Sequence, residues 1–290
     1  MTEPLLKGAI DMHVHVAPDV MPRRSDFLDI AKEALDAGMK GLVFKDSNAL
    51  TTDRAYAVNK LFPGFQAFGA LVLNMSVGGL NPHAVRAAIA LGTKVIWMPS
   101  LNTAHSIEVL DKLKWKFLNR ARLPIEKGLT ILDKKDELIP EVIEILNIAA
   151  KADVVLATGH LSPRESLILI EEARKLGIEK ILVTHASSES INASIDEQKE
   201  MVRRGAYVEH SFASCMPAFD RLDPELISQS IRAVKAEHCV MSTDFGQTFN
   251  PSPIEGLTMF IRHMQKLGIT DEEIRFMVST VPAKLLGISE

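Results

Sequence analysis

The chain is poor in cysteine and has no long apolar run. Its 290 residues contain two cysteines, Cys215 and Cys239, too few for the disulfide framework of a small secreted protein. No segment approaches the run of about 18 apolar residues that a membrane-spanning helix requires, and the first residues lack the pattern of a secretory signal. We therefore expect a reducing, cytoplasmic location and no membrane partner.

Charge of one sign is not in large excess either. There are 33 basic and 37 acidic residues, which gives a formal net charge of −4. Such a balance provides no strong field for nucleic acid, so we expect a small-molecule substrate as the partner. The apolar segment at 258–264 is suited to contact a second copy of the chain, so a homo-oligomer is a further hypothesis.

Short apolar segments alternate with amphipathic helices along the whole chain. They are rich in Val, Ile and Leu, which is typical of parallel strands buried on both faces, and they lie at 9–16, 41–47, 65–74, 93–100, 153–160, 180–187, 206–212 and 239–246. The helices have clear starts, such as Ser25 before the first helix and the capping box of Ser162 and Glu165. The pattern predicts an α/β fold, a (β/α)₈ TIM barrel, as one domain over residues 1–290. The alternative, an open doubly wound sheet, would favour a glycine-rich phosphate loop after the first strand, and the sequence has none there.

One interval between predicted strands is longer than the others. Between Ser100 and Asp153 the sequence has room for an insertion at about 101–132, with a helix at about 103–120 and an extended piece at 128–132. We expect it over the barrel mouth, as a solvated lid, an oligomer contact or a lid that touches substrate. It contains Trp115 and is basic through Lys112, Lys114, Lys116, Arg120, Arg122 and Lys127.

Four histidines and one aspartate stand at the ends of predicted strands, where a barrel places its active site. The first strand ends with His13 and His15, the fifth with His160, the sixth with His185 and the eighth with Asp244. Neutral imidazole and carboxylate are good ligands for zinc. One such histidine is usually a core residue, but the whole set at one rim predicts one or two divalent ions, most simply Zn²⁺.

Alternation along the first strand predicts which side chains share a face. Residues two apart point the same way, so Asp11, His13 and His15 are expected on one face. Met12 and Val14 are then expected on the opposite, apolar face. Two imidazoles at such spacing can converge on one ion.

The order of these ligands resembles the amidohydrolase superfamily of metal-dependent hydrolases, and the matching positions run from His13 to Asp244. The resemblance implies that His13 and His15, with Asp244, bind the more buried ion, and that His160 and His185 bind a second. In members with one ion, the histidine that corresponds to His160 binds that ion, and the histidine that corresponds to His185 orients water or substrate. The resemblance further implies a hydrolase that uses a metal-activated water to cleave an amide, lactone, ester or related bond, with Asp244 as general base and acid.

The sequence departs from that superfamily at the group that often bridges two ions. The fourth strand ends in Trp97 to Ser100, without the lysine or glutamate found there in two-ion members. Lys45, at the end of the second strand, is a candidate substitute if it is carbamylated. It could equally be a cation that binds substrate, or an ordinary salt-bridged lysine.

Several further residues are candidates for substrate binding. Arg23, in the first loop, could clamp a carboxylate or phosphate, or could simply face solvent. Asn74 and Ser100 end the third and fourth strands and could bond substrate or cap loops. Glu209 and His210 end the seventh strand with opposite parity, so one of them points inward, and the sequence does not say which.

Two other classes of protein remain open on this sequence. A metal-dependent non-oxidative decarboxylase or lyase would use similar ligands, with Lys45 or Arg23 facing a substrate carboxylate. A non-catalytic binding protein with a degenerate site would hold no metal.

Overall fold

The computed structural model describes residues 3–110, 112 and 128–289. Within them, the parallel strand segments are β1 Ile10–Val14, β2 Gly41–Phe44, β3 Gln66–Phe68, β4 Ala70–Val72, β5 Val95–Trp97, β6 Val155–Ala157, β7 Ile181–Val183, β8 Tyr207–Ser211 and β9 Cys239–Ser242. β3 and β4 are two parts of one strand, interrupted at Gly69, where a Cβ would overlap the backbone of Thr52. The segments therefore make eight barrel strands.

The sheet closes on itself. The strands pair in chain order, β1 to β3 and β4 to β9, and Gly69 joins the two sets. At the remaining seam, the amide of Asp244 donates to the carbonyl of His13 (2.9 Å) and the amide of His15 donates to the carbonyl of Phe245 (2.8 Å). The predicted TIM barrel is confirmed, and the open sheet is wrong because first and last strands are joined.

Helices surround the strands of the barrel. They are α1 Phe27–Asp36, α2 Thr52–Leu61, α3 Pro82–Ala90, α4 Ala104–Leu110, α5 Pro140–Ala152, α6 Pro163–Lys175, α7 Ile195–Arg203, α8 Pro224–Val234, α9 Pro253–Lys266, α10 Asp271–Arg275 and α11 Val281–Leu286. Ser162 and Glu165 form the predicted capping box, whereas Asp26, and not Ser25, caps α1. Among the described residues, no helix has both the length and the apolar character needed to cross a membrane.

The barrel interior is a packed apolar core below the strand ends. Ile10, Met12, Val95 and Trp97 belong to it and are fully buried. The C-terminal helix α11 joins the same core through residues at 281–286, so it packs against the inside of the sheet and not only on its outer face. The polar strand ends are thus the part of the interior that is left for chemistry.

A β-bulge in β1 changes the side-chain alternation that the sequence predicts. Asp11 pairs with Leu42 and Val14 with Phe44, so three steps along β1 match two along β2. Met12 therefore faces the interior core, and Asp11 does not share the face of His13. The expectation for Asp11 and Met12 is wrong because strict alternation fails across the extra residue. Asp11 instead bonds the backbone amide and hydroxyl of Thr243.

The insertion after the fourth barrel strand is described at both of its ends. α4 begins as the predicted helix does but is described only to Leu110, and Leu129 in the returning segment pairs with the chain at Thr103. Trp115 lies outside the described residues, and so do the basic residues of the insertion that follow Lys112. Lys112 itself is exposed and pairs with Glu108.

Candidate metal centre and active site

The structure brings the first three predicted ligands together. Nε2 of His13 and Nε2 of His15 each lie 3.1 Å from the same carboxylate oxygen, Oδ1 of Asp244. The candidate ligand atoms of these residues all lie within 4.8 Å of one another. Both rings are buried, and the Asp244 side chain is 15 % exposed, so a cation there would be reached from the barrel mouth.

The other two predicted ligands face the same space. Nε2 of His160 and Nε2 of His185 are 3.1 Å apart, and the ring centroids of His185 and His13 are 5.9 Å apart. All four imidazoles and the Asp244 carboxylate therefore lie on one rim. This arrangement depends on side chains that are up to 231 positions apart in sequence, from His13 to Asp244.

Backbone with a positive φ, strained at two non-glycine residues, places three of these groups. His185 has a φ of 27° and Asp244 a φ of 55°, in the left-handed region that costs a non-glycine residue about 1–2 kcal/mol. Gly159, with a φ of 61°, precedes His160, and a Cβ there would overlap the carbonyl oxygens of Met98 and Pro99. Such strain, directly after buried strands, is typical of functional sites that the surrounding structure holds in place.

The charges of the site suit a cation. Burial raises the pKa of the Asp244 carboxyl, but the neighbouring His13 and His15 outweigh it and hold that pKa well below its usual range. Burial also holds the pKa values of His15 and His160 well below 6.5, and lowers that of His185 to about 4. At neutral pH these rings are neutral, and neutral imidazoles with an ionised carboxylate are the kind of donor set that fits a zinc-like ion.

Glu209 is a candidate functional residue whose orientation the sequence left undecided. Its Oε1 accepts from Nδ1 of His13 (3.0 Å) and from the hydroxyl of Ser242 (2.6 Å), and its Oε2 accepts from the amide of His185 (3.0 Å). Burial raises the pKa of Glu209, but the charges of His13 and His185 and the hydrogen bonds from His13 and Ser242 together outweigh burial and lower that pKa to about 2. His210 faces away, with no partner for either ring nitrogen among the described residues. The available signal was a carboxylate within an apolar strand, because a buried charge needs partners.

Lys45 is buried in the middle of the site. Its Nζ lies 3.0 Å from Nε2 of His13 and 5.2 Å from the centroid of the Trp97 ring. No carboxylate in the described part of the chain forms an ion pair with it within 4.0 Å, so the interpretation as an ordinary salt-bridged lysine finds no support. Burial lowers the pKa of this amine.

Arg23 is not a free surface cation. Its Nε and Nη2 both bond Oδ2 of Asp19 at 2.7 Å, and both side chains are almost fully buried. Nη2 also lies 3.0 Å from Nδ1 of His15. The charge of Arg23 is therefore balanced within the protein, and the guanidinium holds a ring of the site.

Asn74 and Ser100 are bonded to each other. Asn74 donates to the hydroxyl of Ser100 (2.9 Å) and the carbonyl of Ser47 (2.8 Å), and accepts from the amide of Ser100 (2.8 Å). The Asn74 side chain holds two loops together and does not line the cavity, whereas Ser100 lines it. Substrate binding by Asn74, as by Ser100 and Arg23, stays a prediction.

A small cavity of about 50 Å³ lies over the ligands, enough for one or two water molecules. Its polar lining beyond the ligands is largely uncharged hydroxyl and amide, and its apolar lining comes from a few side chains at the mouth. The former are Ser47, Ser100, Ser188, Ser214 and Gln247, and the latter include Met21, Leu101 and Phe219.

Solved structures share this fold at low sequence identity. The organophosphorus hydrolase from Deinococcus radiodurans is 15% identical with a TM-score of 0.63, over 97% of this chain and 92% of that one. A probable 2-pyrone-4,6-dicarboxylic acid hydrolase from Acinetobacter baumannii is 12% identical (TM-score 0.63, 97% and 100% covered), and a probable dipeptidase from Pseudomonas aeruginosa is 11% identical (0.66, 99% and 96%). No curated protein sequence matches the chain.

Fold and site together define a (β/α)₈ barrel with a cluster of histidines and an aspartate at its rim. The similar solved structures confirm the predicted barrel fold. By sequence, the chain belongs to a family of unknown function, DUF6282, whose model matches residues 8–209.

Proposed function

We propose that this protein is a metal-dependent hydrolase that cleaves an amide, lactone, ester or related bond of a small molecule. One observation carries the proposal: four imidazoles, three of them held neutral by burial, converge with an ionised carboxylate at the mouth of a barrel. The similar solved structures named above as hydrolases or a dipeptidase are consistent with this chemistry.

The residues divide into two groups around the site. His13, His15 and Asp244 would hold one divalent ion, most simply Zn²⁺, and His160 and His185 a second. A bound ion of this kind lowers the pKa of water and polarises a carbonyl or phosphoryl oxygen. Asp244 is ionised and reaches the cavity, so its carboxylate can accept the proton of the attacking water and return it to the leaving group.

The hydrogen-bond partners of the four histidine rings indicate how many ions the site would hold. Nδ1 of His13 meets Glu209 and Nδ1 of His160 meets Ser106, and such partners orient a ring toward a metal. Nδ1 of His185 is buried without a hydrogen-bond partner among the described residues. His185 is thus the least constrained ring, which supports a role in orienting water or substrate if one ion is bound.

Carbamylation of Lys45 would resolve a conflict at His13. An ammonium at Lys45, 3.0 Å from Nε2 of His13, would place a positive charge directly beside an ion bound to that nitrogen. In carbamylation the neutral amine attacks carbon dioxide, an Nζ–C bond forms, a proton leaves, and the product is a carboxylate suited to cations. We expect native mass spectrometry to detect one added carbon dioxide that the Lys45→Ala variant lacks, and short carboxylic acids to restore metal binding to that variant.

The lyase alternative depends on a cation that is free to meet a substrate carboxylate. Asp19 already balances Arg23, which weakens that part of the alternative. An uncarbamylated Lys45 would favour it, because this amine has no acidic partner within 4.0 Å in the described residues. Release of carbon dioxide without uptake of water would identify a decarboxylase.

Metal analysis and a substrate screen test the proposal. Protein purified without chelator should contain zinc or a similar ion, and should hydrolyse a member of a panel of lactones, cyclic amides, N-acyl amino acids and phosphoesters. His13→Ala should lose metal and activity together, while His83→Ala, at an exposed histidine, should keep both. Full activity in His13→Ala would contradict the proposal, and metal-free wild-type protein would favour a degenerate binding site.

We also propose that residues 1–290 form one barrel domain with an insertion at about 101–132, located in the cytoplasm. The segment at 258–264 gives less support to a homo-oligomer than its composition indicates. Phe260, Ile261 and Met264 are buried in the chain's own core, and Met259 is 36% exposed. Gel filtration with light scattering would determine the oligomeric state.

A further inference from the structure

The insertion after the fourth barrel strand reaches down to the metal centre. Ser106, in the first turn of α4, is fully buried, and its Oγ lies 2.9 Å from Nδ1 of His160. The hydroxyl of Thr103, just before α4, donates to the carbonyl oxygen of His160 (2.9 Å). Both the ring and the backbone of this candidate ligand are thus bonded to the insertion.

The bond at Ser106 bears on which ring nitrogen carries the proton. A neutral imidazole has one N–H, and it can offer Nε2 to an ion only when the proton is on Nδ1. Nε2 of His160 faces His185 and the cavity, and Nδ1 faces Ser106. An oxygen that accepts from Nδ1 therefore favours the form of His160 that can bind metal.

Thr103 holds Ser106 in place for this role. The backbone amide of Ser106 donates to the hydroxyl oxygen of Thr103 (2.9 Å), which is the usual bond of a helix N-cap. The same hydroxyl donates its own proton to the carbonyl of His160, so one side chain connects the start of α4 to the loop after the fifth barrel strand.

The returning end of the insertion locks α4 from the other side. The amide of Leu129 donates to the carbonyl of Asn102 (2.7 Å), and the amide of Ala104 donates to the carbonyl of Leu129 (2.8 Å). Gly128 packs so closely that a Cβ would overlap the backbone of Ala104. A side chain at position 128 would therefore push the start of α4 away and carry Ser106 with it.

We propose that Ser106 is a positioning residue that fixes the metal-binding form of His160, which makes the insertion part of the metal centre and not only a cover over it. This inference rests on the proposed metal-dependent function. His13 and His15 take their Nδ1 partners from Glu209 and Arg23, outside the insertion. The ion held by His160 should therefore depend on the insertion, and the ion held by His13 and His15 should not.

Zinc titration against a competing chelator tests this dependence. Ser106→Ala should lower the affinity for the ion held by His160 by about 10–100-fold, which is the usual effect of removing a hydrogen-bond partner of a ligand ring. The matched control is Ser166→Ala, because Ser166 is also buried on a helix but its hydroxyl has no partner among the described residues. An unchanged affinity in Ser106→Ala, or an equal loss of both ions from a protein that binds two, overturns the proposal.

The tautomer of His160 gives a second measurement, which can be made on the wild-type protein without metal. Nitrogen-15 NMR of the metal-free wild-type protein should show His160 protonated on Nδ1, and protonation on Nε2 overturns the proposal. Gly128→Ala should shift the ring toward the Nε2–H form by displacing α4. If wild-type protein bound no zinc, the proposed function would fail, and this NMR result would still decide the role of Ser106.

Discussion

His13 has more charged neighbours than the other rings of the site. Nδ1 faces Glu209, and Nε2 faces both Asp244 and Lys45. Burial lowers the pKa of this ring, but the Asp244 and Glu209 carboxylates together outweigh burial and raise the pKa to about 9. Without an ion, the ring therefore carries a proton at neutral pH, and an ion that binds at Nε2 must displace it.

Zinc affinity should therefore depend on pH through His13. Between pH 7 and about 9 the affinity should rise about tenfold per pH unit, because one proton leaves His13 for each ion bound, and it should level off above that. The stability of the metal-free protein should change with pH in the opposite direction. The raised pKa of His13 stabilises the folded protein fully below pH 6.5, and this contribution is lost as pH rises through about 9. Calorimetric titration in buffers of different ionisation enthalpy would count the protons, and no proton release at pH 7 would contradict this account.

Glu209→Gln should weaken metal binding without unfolding the protein. The amide can still accept from His13, but it no longer balances the charge of the ring or holds it as strongly. We expect a loss of about 10–100-fold in zinc affinity, measured by chelator competition. Glu179→Gln, at an exposed glutamate, is the matched control and should bind as wild type does. Equal affinities in the two variants would remove Glu209 from the site.

At the scale of residues, the sequence could predict which candidate ligands meet at the rim, but not which side chains hold them. His13, His160 and Asp244 were recognisable because strand ends meet at one rim of a barrel. The roles of Glu209 and Asp19 were not, because they depend on strand parity and on the path of one loop. Neither is encoded in residue spacing.

At the scale of elements, the bulge in β1 shows where periodicity reasoning fails. The strand could be located from its apolar run, but one extra residue between Asp11 and Val14 reverses the faces before His13. Nothing in the composition of the strand marks that residue. The pairing with β2 determines it, and pairing is a tertiary contact.

The turn at Gly159 should be more sensitive than other glycine turns. Gly159 and Gly177 both have a positive φ, 61° and 84°, but a Cβ would overlap backbone at Gly159 and would meet nothing within 4 Å at Gly177. Gly177→Ala should cost about 1–2 kcal/mol of stability from strain alone. Gly159→Ala should cost more and should also weaken zinc binding, because His160 follows directly. Thermal unfolding and zinc titration of both variants would test this, and equal behaviour would contradict it.

At the scale of the whole molecule, the barrel could be predicted because the alternation of apolar strands and capped helices extends over the chain. Closure depends on main-chain bonds between His13, His15 and the segment at 244–245, which also bring the first and last candidate ligands together. The same backbone contacts therefore close the sheet and assemble the candidate ion site. The packing of α11 into the interior core could not be predicted, because its apolar pattern fits any buried helix.

The packing of α11 in the interior core predicts that this helix affects the stability of the protein but not its zinc binding. Leu286, 1% exposed, lies in the interior core with Ile10 and Val240, so Leu286→Ala should cost about 2–5 kcal/mol through lost contacts and a cavity. Leu176→Ala, at a leucine that is 38% exposed, should change stability by about 0.5 kcal/mol or less. Urea unfolding would measure both. The folded fraction of Leu286→Ala should keep wild-type zinc affinity, because α11 packs on the apolar core and not on the ligands; a loss of zinc binding in folded protein would mean that the core and the rim are coupled.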